Sequence, residues 1–332
     1  MYKRQLLEGD LSGKAFAARP SSSYLIGTEN VWLAIRNDPR NRELLVNDLA
    51  ALYVAEVIKK VRFKGIGPRG IALSPDANLL AVTSYFTGEV YLLESRTLKQ
   101  KASLALGRSA EPDPVRKGEQ NFHDARLCFQ GWLSCATCHP EGRADALNWD
   151  LLNDGIGNPK NTKSLLLSHK TPPSMSRGVR PDMIAAVEAG FRHILFREPE
   201  GTEVNDTASY IRSLKPLRSP FRRFDGGLTE AAIRGKKLFE DPTVGCTKCH
   251  PPPLFTDLKM YDVGTRGPFD HASFFDTPTL IELWRTAPYL HDGSAATLRE
   301  LLTTRNKENK HGKTSHLKYR QISDLIEYLL SL

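Results

Sequence analysis

"GWLSCATCHPEGR", Gly131 to Arg143, sets two cysteines two residues apart with a histidine directly behind the second. "GCTKCHPPP", Gly245 to Pro253, repeats the triplet. The 332-residue chain has five cysteines, and the two triplets take four of them: Cys135, Cys138, Cys246 and Cys249. An odd count in a long, cysteine-poor chain argues against a disulfide framework. The two pairs lie too far apart in sequence for a compact zinc ribbon. Covalent haem fits the pattern. C-x-x-C-H offers two thiols for thioether bonds to the haem vinyl groups and a histidine for the iron. The residues therefore predict two covalently attached haem c groups, one on Cys135, Cys138 and His139, the other on Cys246, Cys249 and His250. The fifth cysteine, Cys128 in "RLCFQ", reads as a small buried hydrophobe.

The surroundings of the two triplets repeat as well. "RKGEQNF" precedes the first, with Gly118 four residues before Phe122. "RGKKLF" precedes the second, with Gly235 four before Phe239. Both stretches read as helices whose Gly–Phe face admits a close crossing, and Thr229 is a ready N-cap for the second. "DTASYIRSL" (Asp206 to Leu214) and "DLIEYLLSL" (Asp324 to Leu332) share Asp, Tyr, Ser and Leu at one spacing and read as amphipathic closing helices. Between triplet and closing helix, "NTKSLLLSHKTPPSMSRG" (Asn161 to Gly178) aligns with "DTPTLIELWRTAPYLHDG" (Asp276 to Gly293) at a fixed offset of 115. Three echoes in the same order predict a duplication. "KPLRSPFRRFDGG", Lys215 to Gly227, supplies the linker signals.

Upstream the pattern changes. "GIALS", "LLAVTSY", "EVYLLE" and "KASLAL", within Gly70 to Leu106, are short β-rich runs separated by turn signals such as Ser74-Pro75-Asp76. Four such strands match one propeller blade, and "RELLVNDLAALYVAEVIKKVRF" (Arg42 to Phe63) looks like part of another. The expected fold class is multi-domain: a partial all-β propeller of about two blades over 1–110, then two mainly α cytochrome c-like domains. These cover 111–216 and 228–332, joined by a linker over 217–227. No apolar run approaches the ~18 residues of a membrane helix, so no transmembrane segment is expected. The net charge is +8, but Lys and Arg are scattered, and no nucleic-acid motif is present. The start lacks the apolar core of a secretory signal. Haem c is attached after export, so an exported, periplasmic protein truncated at its N-terminus is expected.

The double triplet, with "TAPYLHDGSAATLREL" and "PPPLFTDLKMYDVGT" after the second, resembles the bacterial di-haem cytochrome c peroxidase and MauG-like superfamily. The resemblance covers roughly residues 112–332, and the N-terminal part resembles YVTN-type propeller blades. It implies that His139 and His250 are proximal iron ligands. It also implies a calcium ion held by the Asn161 side chain and the carbonyls of Thr286 and Pro288, oxygen donors suited to Ca²⁺. Three departures stand out. The tryptophan set between the haems in the peroxidases falls at Ser176. Residues 140–160 carry no distal histidine, and the methionine that completes their second haem falls at Arg305.

The duplication supplies other distal candidates. His193 follows one helix in the first copy, and His311 and His316 follow the corresponding helix in the second. His193 is a candidate distal ligand or acid/base for the first haem, and His311 or His316 a candidate ligand for the second. Met175 and Met183 are weaker candidates. His291 is expected to orient a haem propionate or its own loop. Arg143, Arg177 and Arg180 have the guanidinium geometry that pairs with propionates. The expected function is a redox role, peroxidase-like, with electrons entering through the second haem and reaction at the first. Expected partners are a redox partner protein and hydrogen peroxide or a similar substrate. The alternatives are a non-catalytic electron-transfer cytochrome, and a propeller-based partner-binding protein that uses the di-haem module as its oxidase.

Overall fold

The computed structural model describes residues 58, 61–62, 64–107, 111–151 and 157–332. Four strands come first: β1 (Pro68–Leu73), β2 (Leu79–Ser84), β3 (Glu89–Glu94) and β4 (Gln100–Ala105). They form one antiparallel sheet in sequential order. Ser74 begins the first turn, its hydroxyl bonded to Asp76 and to the backbone of Leu79. Val82, Tyr91 and Leu93 bury the sheet's own small core. The sheet matches the four runs read from the sequence. The second blade expected over 42–63 lies almost wholly outside the described residues, and a propeller is not shown.

Contacts divide the chain into two units. One includes Ile71–Val82 and Tyr91–Ser103, and the other Ile66–Gly70, Thr83–Val90 and Leu104–Leu332. The second unit holds both triplets. Its helix α1 (Pro114–His123) starts on an Asp113 cap that accepts the Arg116 N–H, with proline at the first helical position. The first triplet forms the one-turn helix α2 (Cys135–Cys138), capped by Ser134. A two-residue ladder follows, β5 (Asn148–Trp149) with β6 (Lys160–Asn161). Then come α3 (Met183–His193) and the closing helix α4 (Glu203–Ser213).

The second copy runs the same way. Helix α5 (Glu230–Glu240) starts on Thr229, which accepts the Ala232 N–H as expected. The second triplet lies on a single 3₁₀ turn, Cys246–Lys248. Strand β7 (Met260–Asp262) pairs with β8 (Phe274–Asp276), and α6 (Leu298–Leu302) and α7 (Tyr319–Leu330) follow.

Each copy is organised by one helix crossing, α1 on α4 and α5 on α7. A Cβ on Gly118 would overlap the Asp206 carbonyl, and one on Gly235 would overlap the Asp324 carbonyl. The shared Gly and Asp of the two copies are thus one contact, made twice. Phe122 and Phe239, four residues on, are fully buried in their cores. Burying each contributes about 2–3 kcal/mol.

The duplication extends to backbone detail. Leu167 and Glu282 both sit at φ 61°, Met175 and Leu290 both at φ 74°. Isolated bridges join Ser174 to Arg180 and Tyr289 to Ala295. The copies face each other through reciprocal hydrogen bonds, Asn161 N–H to the His291 carbonyl (2.8 Å) and Asp276 N–H to the Ser176 carbonyl (2.9 Å). Both donors and both acceptors are separated by the offset of 115, so the copies are related by a pseudo-twofold. The 217–227 segment is tied down: Ser219 donates to the Leu330 carbonyl and Arg222 to that of Ser331.

Candidate functional site

The triplet histidines are held alike. His139 Nδ1 lies 3.0 Å from the Arg143 carbonyl, and His250 Nδ1 lies 2.8 Å from that of Phe255. A carbonyl only accepts, so each Nδ1 carries the proton and each Nε2 keeps a lone pair for a metal. Burial pushes both imidazoles down in pKa and favours that neutral form. Burial also raises the cysteine thiols, Cys135 to about 12 and Cys138 and Cys246 to about 11. No two of the five cysteines form a disulfide. Cys128 is buried beside Phe191 and Leu195, as a small hydrophobe would be.

Opposite the second histidine lies His311. The two ring centres are 6.4 Å apart with planes inclined by 31°. Two imidazoles binding one metal ion from opposite sides, each with a bond of about 2 Å, stand about 6 Å apart centre to centre. The pair therefore fits a metal between the rings. Burial, and secondarily His250, holds His311 down at about 4. Its loop is fixed by Asn306, whose side chain donates to the carbonyls of His311 and Gly312 and accepts the His311 N–H. His316, the other candidate, is exposed near Asp241. The four intervening residues turn it out to solvent, so it does not face His250.

The first histidine opens on a cavity of about 250 Å³. Cys135, Cys138 and His139 line one part of it, and Met175, Met183 and His193 line others. His193 ends α3, so the structure brings His139 and His193 to one cavity. Two thiols, a histidine with a free lone pair and an apolar cavity suit a c-type haem. Four cations also line the cavity. Lys160 pairs with Asp270 at 3.0 Å and Lys163 with Asp276 at 2.6 Å, while Arg177 and Arg180 come from the loop before α3.

Other expected residues fall as follows. Arg143 is committed elsewhere: its Nε and Nη2 form a buried pair with Glu282 at 3.0 and 2.8 Å, Nη1 donates to the Glu141 carbonyl, and Nη2 also donates to that of Lys215. His291 Nε2 meets Asp270 at 2.8 Å, and its ring stacks on Phe275. The Asn161 amide nitrogen abuts the Pro288 carbonyl, while its Oδ1 is buried without a partner. Thr286 ends the 3₁₀ turn Leu283–Arg285 two residues earlier. Among the described residues no cluster of three or more His, Cys, Asp or Glu side chains could hold a metal ion. No described helix is long and apolar enough to cross a membrane.

Sequence reading missed Glu282, Asp270 and the Lys163–Asp276 pair. Glu282 carried a signal, because the aligned position of the other copy is a buried leucine, Leu167. The partner of such an acid has no signature in the sequence.

Comparison with known proteins agrees with this geometry. A family model described as "RoxA-like, cytochrome c-like" matches residues 275–311. The hydrazine synthase gamma subunit of Kuenenia stuttgartiensis is 36% identical over 272 residues, 66% of this chain and 77% of that one. The methylamine utilization protein MauG of Methylophilus methylotrophus is 27% identical over 273 residues, 65% of this chain and 81% of that one. Cytochrome c peroxidases match at 23–24% identity. Among solved structures, K. stuttgartiensis hydrazine synthase under xenon pressure superposes with a TM-score of 0.63 at 28% identity, over 83% of this chain and 97% of that one. With two thiol–histidine anchors in a duplicated helical unit, the chain belongs to the family of the hydrazine synthase gamma subunit and its MauG-like, cytochrome c-type relatives.

Proposed function

We propose that the chain is a peroxidase-like di-haem c-type cytochrome in which a small oxidant reacts at the first triplet and electrons enter through the second. The observation that carries this reading is the unlike surroundings of two histidines that are held alike. His250 faces His311 at 6.4 Å, whereas His139 opens on a cavity with His193 in its lining.

When bound, haem supplies a redox-active iron at each histidine. Cys135 and Cys138 would hold the first group by thioether bonds and Cys246 and Cys249 the second. His139 and His250 would each bind an iron, oriented by their carbonyl acceptors. His311, facing His250, would be a further ligand at the second site. His193 is the acid/base of the first site: it takes a proton from incoming peroxide and returns it to the departing oxygen. Asn161, with the carbonyls of Thr286 and Pro288, would hold a calcium ion. The buried, unpartnered Oδ1 and the crowded Asn161–Pro288 contact support this, because turning the amide over sets two oxygens toward a shared cation. In this reading the two helical copies, 111–216 and 228–332, are separate cytochrome c-like domains joined by 217–227. The sheet belongs to a propeller, and the chain works in an exported compartment with a redox partner protein.

A second reading has one specific support, the greater identity to the hydrazine synthase gamma subunit (36%) than to MauG (27%). In it the chain works as one subunit of a larger redox assembly.

The test is the ferric spectrum of the chain produced with the haem-maturation machinery, with and without peroxide. A high-spin signal that changes with stoichiometric peroxide is expected. Two low-spin signals indifferent to peroxide, before and after partial reduction, would leave an electron carrier instead.

A further inference from the structure

We propose that the segment between the two copies is a membrane-docking loop, in which Phe224, set among arginines, enters the headgroup layer of an anionic phospholipid bilayer. The inference does not depend on what the triplets bind.

Residues 214–227 form no helix or strand, yet they are held in one shape. Besides the two bonds from Ser219 and Arg222 to the end of α7, the Leu217 N–H donates to the buried Glu282 carboxylate. A tight turn follows. The Gly226 N–H donates to the Arg223 carbonyl at 2.8 Å, and the Arg223 N–H to that of Gly227 at 2.9 Å. Arg218 Nη1 donates to the Phe224 carbonyl at 3.2 Å. This braced turn carries Phe224 at 97% exposure, the most exposed large apolar side chain among the described residues. Leu217 and Phe221, on the same segment, are exposed as well. A loose chain would fold such a ring back onto apolar surface. Here the hydrogen bonds keep it in water, so an apolar patch is presented and not merely left over.

The charge of the segment says what it meets. Lys215, Arg218, Arg222 and Arg223 stand against one acid, Asp225, which pairs with Arg223 at 2.8 Å. Lys215, Arg218 and Arg222 have no carboxylate partner among the described residues. The two arginines are steadied by carbonyl acceptors, which leave their charge in place. The complement of this surface is therefore anionic. A stable protein partner needs about 800 Å² of matching surface on each side, and three apolar side chains on one loop offer a small part of that. A lipid surface makes no such demand. An aromatic ring settles at the level of the headgroups while neighbouring cations meet the phosphates. One apolar anchor beside a basic cluster is the pair of signals that gives reversible binding to an anionic bilayer.

The experiment is sedimentation of the full chain with phosphatidylcholine vesicles, with and without about one-third phosphatidylglycerol. The variants are Phe224→Ser, Phe224→Trp, and Lys215→Gln combined with Arg218→Gln. The parent should pellet with the anionic vesicles, stay in solution with the neutral ones, and be released at about 1 M salt. Phe224→Ser should weaken binding about tenfold, and the double variant by at least about tenfold. Phe224→Trp should bind as the parent does, its added emission quenched by lipids brominated on their acyl chains. A parent that stays in solution with anionic vesicles, or binds neutral ones equally, would overturn the proposal. So would binding unchanged in Phe224→Ser, or a Phe224→Trp emission that brominated lipid leaves untouched. Polyglutamate that binds the chain through Phe224 while vesicles do not would also overturn it, marking the loop as a contact for an acidic protein.

Discussion

Replacing Glu282 by alanine should destabilise the chain and disturb a site that Glu282 does not touch. Its carboxylate is 1% exposed and accepts from Arg143 Nε and Nη2 and from the Leu217 N–H at 2.6 Å. Arg143 is itself only 6% exposed. Glu282→Ala therefore strands a buried guanidinium, a change that typically costs about 3–5 kcal/mol, against a total stability of about 5–15 kcal/mol. The site is disturbed because the Arg143 carbonyl is the acceptor that fixes His139. With its side chain released, Arg143 holds that carbonyl less firmly, and the His139 ring loses orientation. Urea unfolding at pH 7 measures the first effect. The absorption of the first haem in the loaded chain reads the second. Replacing both partners together, Glu282→Leu with Arg143→Leu, should be less damaging than Glu282→Ala alone, because no charge is left buried. The reasoning fails if Glu282→Ala stays within about 0.5 kcal/mol of the parent, or if the double variant is the less stable of the two.

Two further outcomes follow from the packing and the charges. Gly118→Ala and Gly235→Ala should each cost about 1–3 kcal/mol by overpacking, although alanine favours an isolated helix by about 1 kcal/mol. A thermal scan that finds either variant stabilised would mean the helices do not cross so closely. Burial alone would raise the Asp270 carboxyl, but the Gly267 N–H, Lys160, Asn158 and His291 hold it well below the usual range. Its stabilisation is then complete above the ordinary carboxyl pKa of 3.8 and is lost as pH falls through the lowered value. The stability gap between parent and Asp270→Asn should accordingly narrow in acid. Unfolding curves with a gap independent of pH would contradict this.

The sequence carried much of this architecture because the information is local or repeated. The two triplets name their chemistry by spacing alone. The Gly–Phe and Asp–Tyr–Ser–Leu echoes anticipated both helix crossings, since each crossing needs a residue without a Cβ at one point. The strand runs and Thr229 as a cap were equally local. The repeat also singled out His193, which lines one cavity with His139, and His311, which faces His250. Choosing His311 over His316 needed the fold, since only the Asn306-braced loop sets which of them turns inward. Arg143 misled for a similar reason. Its chemistry suited a propionate, but its partner Glu282 stands 139 positions away, and no local pattern joins them. The Arg177–Phe275–His291 stack likewise brings together loops of both copies.

The central claim is that both triplets hold haem covalently, and intact mass after production with the haem-maturation system tests it most directly. The account predicts the polypeptide plus two haems, retained through acidified organic solvent, and plus one when Cys246 and Cys249 are both serine. A mass with no haem or one, or haem that the solvent removes, would contradict it.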